Sequence, residues 1–316
     1  MKLPSRNPST RSTAVTKVSR GLQPTARRTL GEPMATDMLI AIAVMVIASV
    51  ASGLVSGGYA YSDKGQRTIA CLAFSVIGMV FYLFYASGQL FWARFVPSSA
   101  AIIYTNLAAI FAALAAGWAW RLPKTPLWRR FVMAVLLAGA SVAAIFWPIL
   151  SMAVRPPPVG GDQWDRGVAL QTSWATCSPA AAATLFRAEG INISEAEMIP
   201  LCLTDSSGTP TLGLYRGIKL VAERKDRDVE LLNGMIADLL AADDWPVLLA
   251  VELPYGVADR RYVEQWGWIP GMGHSVVALG RGPSGGVLIG DPSVGLEEWT
   301  EADLEVLWHG VGLRVK

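Results

Sequence analysis

The chain contains few of the side chains that usually bind metal ions or form disulfides. Its 316 residues include three cysteines and two histidines. Cys177, Cys202, His274 and His309 all lie in the second half, and their spacings match no zinc-ligand pattern. A G-x-x-x-x-G-K-S/T loop is also absent. The sequence therefore predicts no metal site, no cofactor and no ATP binding in this chain.

Acidic residues are scarce in the first half. Residues 1–159 contain 15 Lys and Arg against 3 Asp and Glu, a net charge of +12, whereas residues 160–316 contain 12 against 22, a net charge of −10. So uneven a distribution indicates that the two halves work in different environments. A domain of net charge −10 is also expected to bind no nucleic acid, because contacts to phosphates depend on Lys and Arg.

The first half also lacks charge along four long stretches. They comprise residues 38–62, 68–93, 95–120 and 131–154. Each supplies the roughly 20 apolar residues that a helix needs to cross about 30 Å of hydrocarbon. We therefore expect four transmembrane helices within residues 37–154, in an integral membrane protein that contacts a lipid bilayer. Because no ionisable side chain interrupts the stretches, an anchor is favoured over a transport pathway.

The orientation of the chain in the membrane follows less clearly from its charges. Residues 1–36 form a basic tail with Glu32 as its single acidic residue, and this composition predicts disorder; Met34 is an alternative start. Four spans put both ends of the chain on one side. Lys and Arg in the first and third loops favour a soluble domain outside the cytoplasm, whereas a cytoplasmic tail favours the opposite. Short loops carry more weight, so we favour the extracytoplasmic side and leave the question open.

A Pro- and Gly-rich linker, residues 155–164, precedes a soluble domain over residues 165–316. In this domain apolar periodicity predicts helices first and short strands later, and Ser194 forms a capping box with Glu197 at the start of one helix. The other predicted helices cover residues 178–190, 211–223 and 229–241, and the predicted strands lie within residues 245–253, 274–282 and 286–295. Helices followed by antiparallel strands indicate an α+β fold.

The stretch QTSWATCSP, residues 171–179, places Cys177 at the start of a predicted helix. A thiol attacks as its thiolate, and the positive end of a helix dipole lowers the thiol pKa. His274 begins one predicted strand and Asp291 ends the next, so a hairpin of these strands would bring the imidazole and the carboxylate together. Gln171 could donate a hydrogen bond to an oxyanion. Each residue also has a structural explanation, as a core cysteine, a turn residue or a surface amide, and only their joint placement favours catalysis.

The order of these motifs resembles the bacteriocin-processing peptidases, which are papain-like cysteine peptidases that cut after double-glycine leaders. The matching residues are Gln171, Cys177, Gly208-Thr209, Gly213-Leu214, Gly-His-Ser-Val-Val at 273–277 and Asp-Pro-x-x-Gly at 291–295. The resemblance covers nearly all of residues 165–316. It implies that Cys177 is the nucleophile, His274 the general base, Asp291 the acid that orients the base, and Gln171 the oxyanion donor.

Two features depart from that family. Ser178 follows the cysteine where the family usually has Gly, which would narrow the oxyanion pocket or change substrate choice. The family's exporters place this domain before six spans and a nucleotide-binding domain, whereas here it follows four spans. The resemblance implies a peptidase anchored in a bacterial inner membrane, with a peptide or protein substrate and a separate transporter as a candidate partner. A non-catalytic peptide-binding or receptor domain of the same fold is the alternative.

The remaining cysteine and histidine of the domain are expected to be structural. A disulfide between Cys202 and Cys177 would remove the nucleophile, so Cys202 is predicted to be a core residue. His309 lies in the last turn before a predicted terminal strand. The resemblance implies a structural role for Trp308, His309 and Gly310.

Overall fold

A computed structural model describes residues 32–58 and 65–316 of the chain. Most of the predicted basic tail, residues 1–31, lies outside the described residues, as does most of the first loop, residues 59–64. The last residues of the predicted tail belong to the first helix, which begins at Glu32.

Within the described ranges, four helical segments are long and apolar enough to cross a membrane, in agreement with the four uncharged stretches. These segments are Thr36–Gly58, Gln66–Ala86, Ala101–Trp120 and Leu127–Val154. Their helices are α1 (Glu32–Gly58), α2 (Gln66–Phe81) with a π-helical turn (Tyr82–Ala86), α3 (Trp92–Phe95), α4 (Ala101–Tyr104), α5 (Leu107–Trp120) and α6 (Leu127–Val154).

The third span is shorter and more broken than the predicted stretch of residues 95–120. Pro97 interrupts the helix after α3, because proline has no N–H and its ring clashes with the preceding turn. A second break precedes α5 at Asn106, whose side-chain amide donates to the carbonyl of Ala144 at 2.8 Å. Residues 87–106 consequently form a bend at the end of the long apolar helices that contacts the soluble domain.

The soluble domain is built on an antiparallel sheet. Its described elements are β1 (Trp164–Asp165), β2 (Val168–Ala169), α7 (Cys177–Ala188), α8 (Glu195–Leu201), α9 (Thr211–Glu223), β3 (Val229–Asn233), α10 (Ile236–Ala242), β4 (Val247–Glu252), α11 (Arg261–Glu264), β5 (Gly273–Arg281), β6 (Val287–Asp291), β7 (Gly295–Trp299), α12 (Glu301–Leu307) and β8 (Trp308–Val315). In the described chain β1 pairs with β2, and the other six strands form one sheet in the order β3-β8-β4-β5-β6-β7. This mixture of helices and antiparallel strands confirms the predicted α+β class.

Three of the predicted helices are present where the apolar periodicity placed them. α7 carries Pro179 in its first turn, where a proline costs no hydrogen bond, and buries Leu185 and Phe186. α8 begins with the predicted capping box, in which Ser194 accepts from the N–H of Glu197 and the Glu197 carboxylate accepts from the N–H of Ser194. α9 covers the predicted range.

The helix predicted over residues 229–241 is wrong in its first half. Residues 229–233 form β3, which pairs antiparallel with the terminal strand β8, with Val229 opposite Val315. The helix α10 begins only at Ile236. Partners about 80 residues away in sequence decide this conformation, so local periodicity could not distinguish it. The predicted turn at His309 is also wrong, because His309 is the second residue of β8.

Two apolar layers lie on opposite faces of the sheet. On one face α7 and α9 pack against the sheet, in a core that includes Cys202 as the predicted buried thiol. Leu90 and Ala93, from the bend between the second and third long apolar segments, belong to this same core. The other face packs against a cluster of tryptophans that includes Trp268 and Trp299.

The soluble domain is held against the long apolar helices by polar contacts that are largely buried. The guanidinium of Arg216 on α9 pairs with the carboxylate of Asp37 in α1, and also donates to the carbonyl of Ser99 at 3.2 Å. The Ser99 hydroxyl donates to Asp37 at 2.6 Å. Arg216 is 1% exposed. Because a buried ion pair tolerates little separation of its partners, these contacts fix the domain relative to α1.

The predicted linker makes ordered contacts with the domain. The N–H of Gly161 donates to the Glu195 carboxylate at 2.7 Å, and its carbonyl accepts from the N–H of Ala196 at 3.2 Å. Arg155, at the end of α6, forms an ion pair of 2.8 Å with Asp205. These contacts join the linker to α8 and to the loop that precedes α9.

Candidate active site

Cys177 is the first residue of α7 and is 9% exposed. The loop before it is held in place at both ends. The N–H of Gln171 donates to the carbonyl of Pro292 at 2.9 Å, and the hydroxyl of Thr176 donates to the carbonyl of Ser173 at 2.9 Å. The thiol consequently lies at the helix end where unpaired N–H groups favour an anion.

The structure brings the three predicted site residues Cys177, His274 and Asp291 together. Strands β5 and β6 pair antiparallel, as expected, so the start of β5 lies beside the end of β6. Nε2 of His274 lies 2.8 Å from Oδ1 of Asp291. The imidazole is also close enough to the Cys177 thiol for its charge to lower the thiol pKa. Since Nε2 is occupied by Asp291, Nδ1 is the ring nitrogen left for the sulfur.

Asp291 is fully buried, and three further donors fix its carboxylate. The N–H and the hydroxyl of Ser293 donate to Oδ1 at 2.8 and 2.6 Å, and the indole N–H of Trp268 donates to Oδ2 at 2.9 Å. Sequence reasoning did not identify Trp268 or Ser293. The Asp-Pro-Ser turn was a local signal for Ser293, whereas Trp268 comes from a loop before β5 and no local pattern marks it.

Trp268 also packs against the imidazole. The ring centroids of Trp268 and His274 are 4.6 Å apart, with an angle of 59° between the planes. On its other side Trp268 contacts Trp266 and Trp299 at centroid distances of 5.8 and 5.6 Å. The tryptophan cluster thus excludes water from the contact between His274 and Asp291.

The charges in this group reinforce one another. Burial alone raises the pKa of the Cys177 thiol, but the hydrogen bond and the charge of His274 outweigh it and lower the pKa below its usual value. Burial alone lowers the pKa of His274, but Asp291 and the sulfur raise it to about 10. Burial also raises the pKa of Asp291, and the His274 charge and Ser293 hold it below the usual range. The arrangement favours a thiolate beside an imidazolium.

Gln171, the predicted oxyanion donor, lies in the same pocket as His274, but its side chain forms no hydrogen bond with Cys177, His274 or Asp291. It lines a pocket of about 50 Å³ together with Trp174, Trp268, Met272 and His274. Its side-chain oxygen is buried and has no hydrogen-bond partner among the described residues. The side-chain amide is therefore available to a group that enters the pocket, and its oxygen and nitrogen can exchange places by rotation.

Ser178, the residue that departs from the family pattern, turns its side chain toward the sheet. Its hydroxyl lies 2.9 Å from the hydroxyl of Ser275 on β5 and 3.9 Å from the sulfur of Cys177. The hydroxyl hydrogen bond with Ser275 directs Ser178 away from Gln171. Ser178 and Ser275 both line a larger cleft on that side of the thiol.

This larger cleft has a volume of about 490 Å³. One side is the face of the sheet that α7 leaves uncovered, with Glu252 on β4 and His309 on β8. The other side comes from the bend after α2, residues 89–94. His309, for which the sequence suggested only a structural role, is exposed in this cleft.

Comparison with known proteins gives only partial matches. No protein-family model matches the chain. An uncharacterized protein of Methanothermobacter marburgensis is 46% identical over 75 residues, which cover 24% of this chain and 50% of that protein. An uncharacterized protein of Methanothermobacter thermautotrophicus is 44% identical over 50 residues, 16% of this chain and 35% of that protein. The chain thus matches half or less of the length of these curated relatives.

Solved structures give distant matches. The peptidase domain of Streptococcus ComA, a bifunctional ABC transporter involved in a quorum-sensing pathway, is 20% identical, with a TM-score of 0.37, 47% of this chain covered and 96% of that one. The peptidase domain of Streptococcus mutans ComA is 18% identical, with a TM-score of 0.33 and coverages of 48% and 98%. A double-glycine motif protease from an AMS/PCAT transporter, in complex with the leader peptide, is 15% identical, with a TM-score of 0.37 and coverages of 51% and 97%. Over about half of its length, the chain is similar to double-glycine peptidase domains of ABC transporters.

Proposed function

We propose that this protein is a membrane-anchored cysteine peptidase that cleaves a peptide or leader segment with Cys177, His274 and Asp291. The observation that carries the proposal is the 2.8 Å hydrogen bond between His274 and the buried Asp291, in a group where the charge of His274 lowers the pKa of the Cys177 thiol. A structural cysteine in a core has no need of a buried imidazole and carboxylate beside it. The cost of burying three ionisable groups supports a catalytic role.

The first half of the reaction forms a thioester. The Cys177 thiolate attacks the scissile carbonyl carbon, the C–S bond forms, and the carbonyl electron pair moves to oxygen. The Gln171 side chain and the N–H of Cys177 stabilise this oxyanion. The C–N bond then breaks, and the leaving amine takes its proton from the His274 imidazolium, while Asp291 holds the ring in place.

The second half regenerates the thiolate. Neutral His274 takes a proton from water as the oxygen attacks the thioester carbon. The C–S bond breaks, the electron pair returns to the sulfur, and the carboxylic acid product leaves. The His274 imidazolium and the Cys177 thiolate are then restored, with Asp291 unchanged throughout.

Alkylation of Cys177 tests this proposal. The full chain, reconstituted in lipid nanodiscs, is treated with iodoacetamide between pH 4 and 9, and mass spectrometry follows the peptide that carries Cys177. We expect a rate with an apparent pKa well below about 8.5, lost in His274→Ala and retained in the control Arg260→Ala, at an exposed position that does not line the cleft. A slow rate with an ordinary thiol pKa, equal in both variants, would contradict the peptidase.

A non-catalytic receptor that holds a peptide in the same cleft is the second candidate. Ser178 favours it, because its side chain occupies space beside the sulfur in a position that the resembled peptidases leave to glycine. The two candidates differ in one measurement. The peptidase predicts that Ser178→Gly retains or raises the alkylation rate of Cys177, and the receptor predicts an inert thiol in both proteins.

The proposal assigns residues 37–154 to the membrane anchor and residues 165–316 to the peptidase domain. At the end of the described membrane helices that lies away from the soluble domain, the chain carries basic residues, including Arg67, Arg121 and Lys124. Under the positive-inside rule this supports a domain outside the cytoplasm. A protease-protection assay on intact and opened membrane vesicles tests the orientation, and a separate transporter is a candidate partner for the cleaved peptide.

A further inference from the structure

We propose that the cleft beside Cys177 is completed by the membrane region, and that it binds the segment on the N-terminal side of the scissile bond of a membrane-attached polypeptide. This inference rests on the proposed function and specifies its substrate class. It predicts that the soluble domain alone does not contain the whole binding site.

The membrane-side wall is an ordered part of the fold. It consists of residues 89–94, which directly follow the last turn of the second span. Leu90 and Ala93 are 6% and 1% exposed and belong to the apolar core of the soluble domain. The indole N–H of Trp92 donates to the carbonyl of Ala86 at 2.6 Å. These contacts leave Phe91 and Arg94 of the same segment exposed at the cleft.

The opposite wall offers an uncovered sheet face. It includes Ala250 and Glu252 of β4 and His309 and Val311 of β8, where neither α7 nor α9 covers the strands. The side chains of Glu252 and His309 make no hydrogen bond or ion pair with another described residue. A peptide chain on this face would supply polar partners to both, together with apolar contacts to Phe91 and Val311.

The sizes of the two pockets beside His274 indicate which part of the substrate each pocket binds. The cleft with Ser178 and Ser275 has about 490 Å³, enough for several residues, whereas the pocket with Gln171 has about 50 Å³. The acyl part stays on the sulfur after the first step and needs stable binding, whereas the amine part leaves. The larger cleft therefore suits the acyl part, which lies on the N-terminal side of the scissile bond.

The cleft opens at the level of the bilayer surface. The second apolar segment ends at Ala86, and Gln89 lines the cleft three residues later, which is at most about 10 Å along an extended chain. Exposed aromatic side chains flank this point, with Phe84 81% and Phe95 73% exposed. Aromatic side chains at such a position are typical of a membrane surface.

The attachment of the domain keeps the cleft at that level. Arg216 on α9, next to the cleft, pairs with Asp37 in α1, so the domain cannot swing away from the membrane without exposing a buried ion pair. A substrate that diffuses in solution gains nothing from this arrangement. A polypeptide attached to the same bilayer gains a high effective concentration beside Cys177.

The experiment compares four reagents on the full chain in nanodiscs of phosphatidylcholine and phosphatidylglycerol. They are a tripeptidyl chloromethyl ketone, the same compound with an N-terminal lauroyl chain, iodoacetamide, and a lauroyl iodoacetamide that reports the gain from partition into the bilayer alone. We expect the lauroyl chain to accelerate alkylation of Cys177 by the peptide about tenfold more than it accelerates alkylation by iodoacetamide. An equal gain for both reagents would overturn the proposal.

The membrane wall is tested by a matched pair of variants. Phe91→Ala removes an exposed aromatic side chain that lines the cleft, and Phe84→Ala removes one near the end of the second span that does not. We expect Phe91→Ala to slow the lauroyl peptide about tenfold relative to iodoacetamide and Phe84→Ala to leave the ratio unchanged. Equal ratios in the two variants would overturn the composite cleft.

Failure of this inference is distinguishable from failure of the proposed function. In Cys177→Ala, fluorescent lauroyl and plain tripeptide amides measure occupancy of the cleft by anisotropy without any reaction. An inert thiol in the wild type contradicts the peptidase and leaves this binding measurement valid. Binding that is unaffected by Phe91→Ala contradicts the composite cleft, whatever the reactivity of Cys177.

Discussion

Nε2 of His274 lies 2.8 Å from Oδ1 of Asp291, and this contact determines which nitrogen faces the thiol. With Nε2 held by the carboxylate, Nδ1 is left for Cys177. The same contact stabilises the protonated ring, which in turn lowers the pKa of the Cys177 thiol. Four testable predictions follow from this group and from its supports.

The first prediction concerns the charge of Asp291. In Asp291→Asn the imidazole loses the carboxylate that raises its pKa, so it gives up its proton at lower pH and the thiolate loses its partner charge. We expect the alkylation rate of Cys177 at pH 6 to fall at least about tenfold, since a loss of 1.4 kcal/mol corresponds to that factor. The control is Asp226→Asn, at an exposed carboxylate after α9. An unchanged rate at pH 6 in Asp291→Asn would show that Asp291 does not stabilise the ion pair of the Cys177 thiolate and the His274 imidazolium.

The second prediction assigns Trp268 the role of a positioning residue. Trp268→Phe keeps an aromatic ring against His274 but removes the donor to Oδ2 of Asp291, which lies 2.9 Å away. A buried acceptor without a donor costs about 1–3 kcal/mol. We expect a lower melting temperature and a displaced pH profile for alkylation of Cys177, because Asp291 is then held less firmly beside His274.

A structural role alone would lower the melting temperature and leave the pH profile in place. Trp164→Phe is the matched control, because the Trp164 indole donates to the exposed Asp162 at 2.5 Å and lies away from the site. The assignment of Trp268 is refuted if the two variants give the same pH profile.

The third prediction concerns the attachment of the soluble domain. Arg216→Met removes the cation from a pair in which the side chain of Arg216 is 2% exposed and that of Asp37 is 22% exposed, and breaking a fully buried pair costs about 3–5 kcal/mol, which is the upper bound here. Thermal unfolding of the full chain in nanodiscs should show a large destabilisation. Arg260→Met, in an ion pair whose side chains are 80% and 58% exposed, should cost no more than about 1 kcal/mol. Equal melting temperatures for the two variants would contradict a structural role for the Arg216 contact.

The fourth prediction concerns Glu297 on β7. Burial raises its pKa to about 7, and the charges of Asp291 and Asp303 act in the same direction. A carboxyl that binds its proton more tightly in the folded state loses stability as pH rises from its ordinary pKa near 4.5 to about 7. Glu297→Gln should therefore match the wild type near pH 4.5 and melt at a higher temperature above pH 7.

The control for this pH dependence is Glu305→Gln, at an exposed position of α12. Its melting temperature should follow the wild type across the same range. If the difference in melting temperature between Glu297→Gln and the wild type does not change between pH 4.5 and 7, burial does not raise the pKa of Glu297.

Local patterns in the sequence were sufficient for much of the fold. Long uncharged runs predicted the four apolar helical segments, because only such runs satisfy the hydrocarbon interior. The capping box at Ser194 predicted the start of α8, and alternating apolar runs predicted β4, β5 and β6. The helix over residues 229–241 failed, because β3 depends on pairing with β8 at the far end of the chain.

By itself, the sequence determined which residues could carry chemistry: Cys177 at a helix start, and His274 and Asp291 at the ends of neighbouring strands. Those positions depend on helix and hairpin geometry, which short-range patterns encode. Only the tertiary structure decided that Trp268 supports Asp291 and that residues 89–94 close the cleft. Both contacts join segments distant in sequence, and packing against the rest of the molecule, rather than any local propensity, brings such segments together.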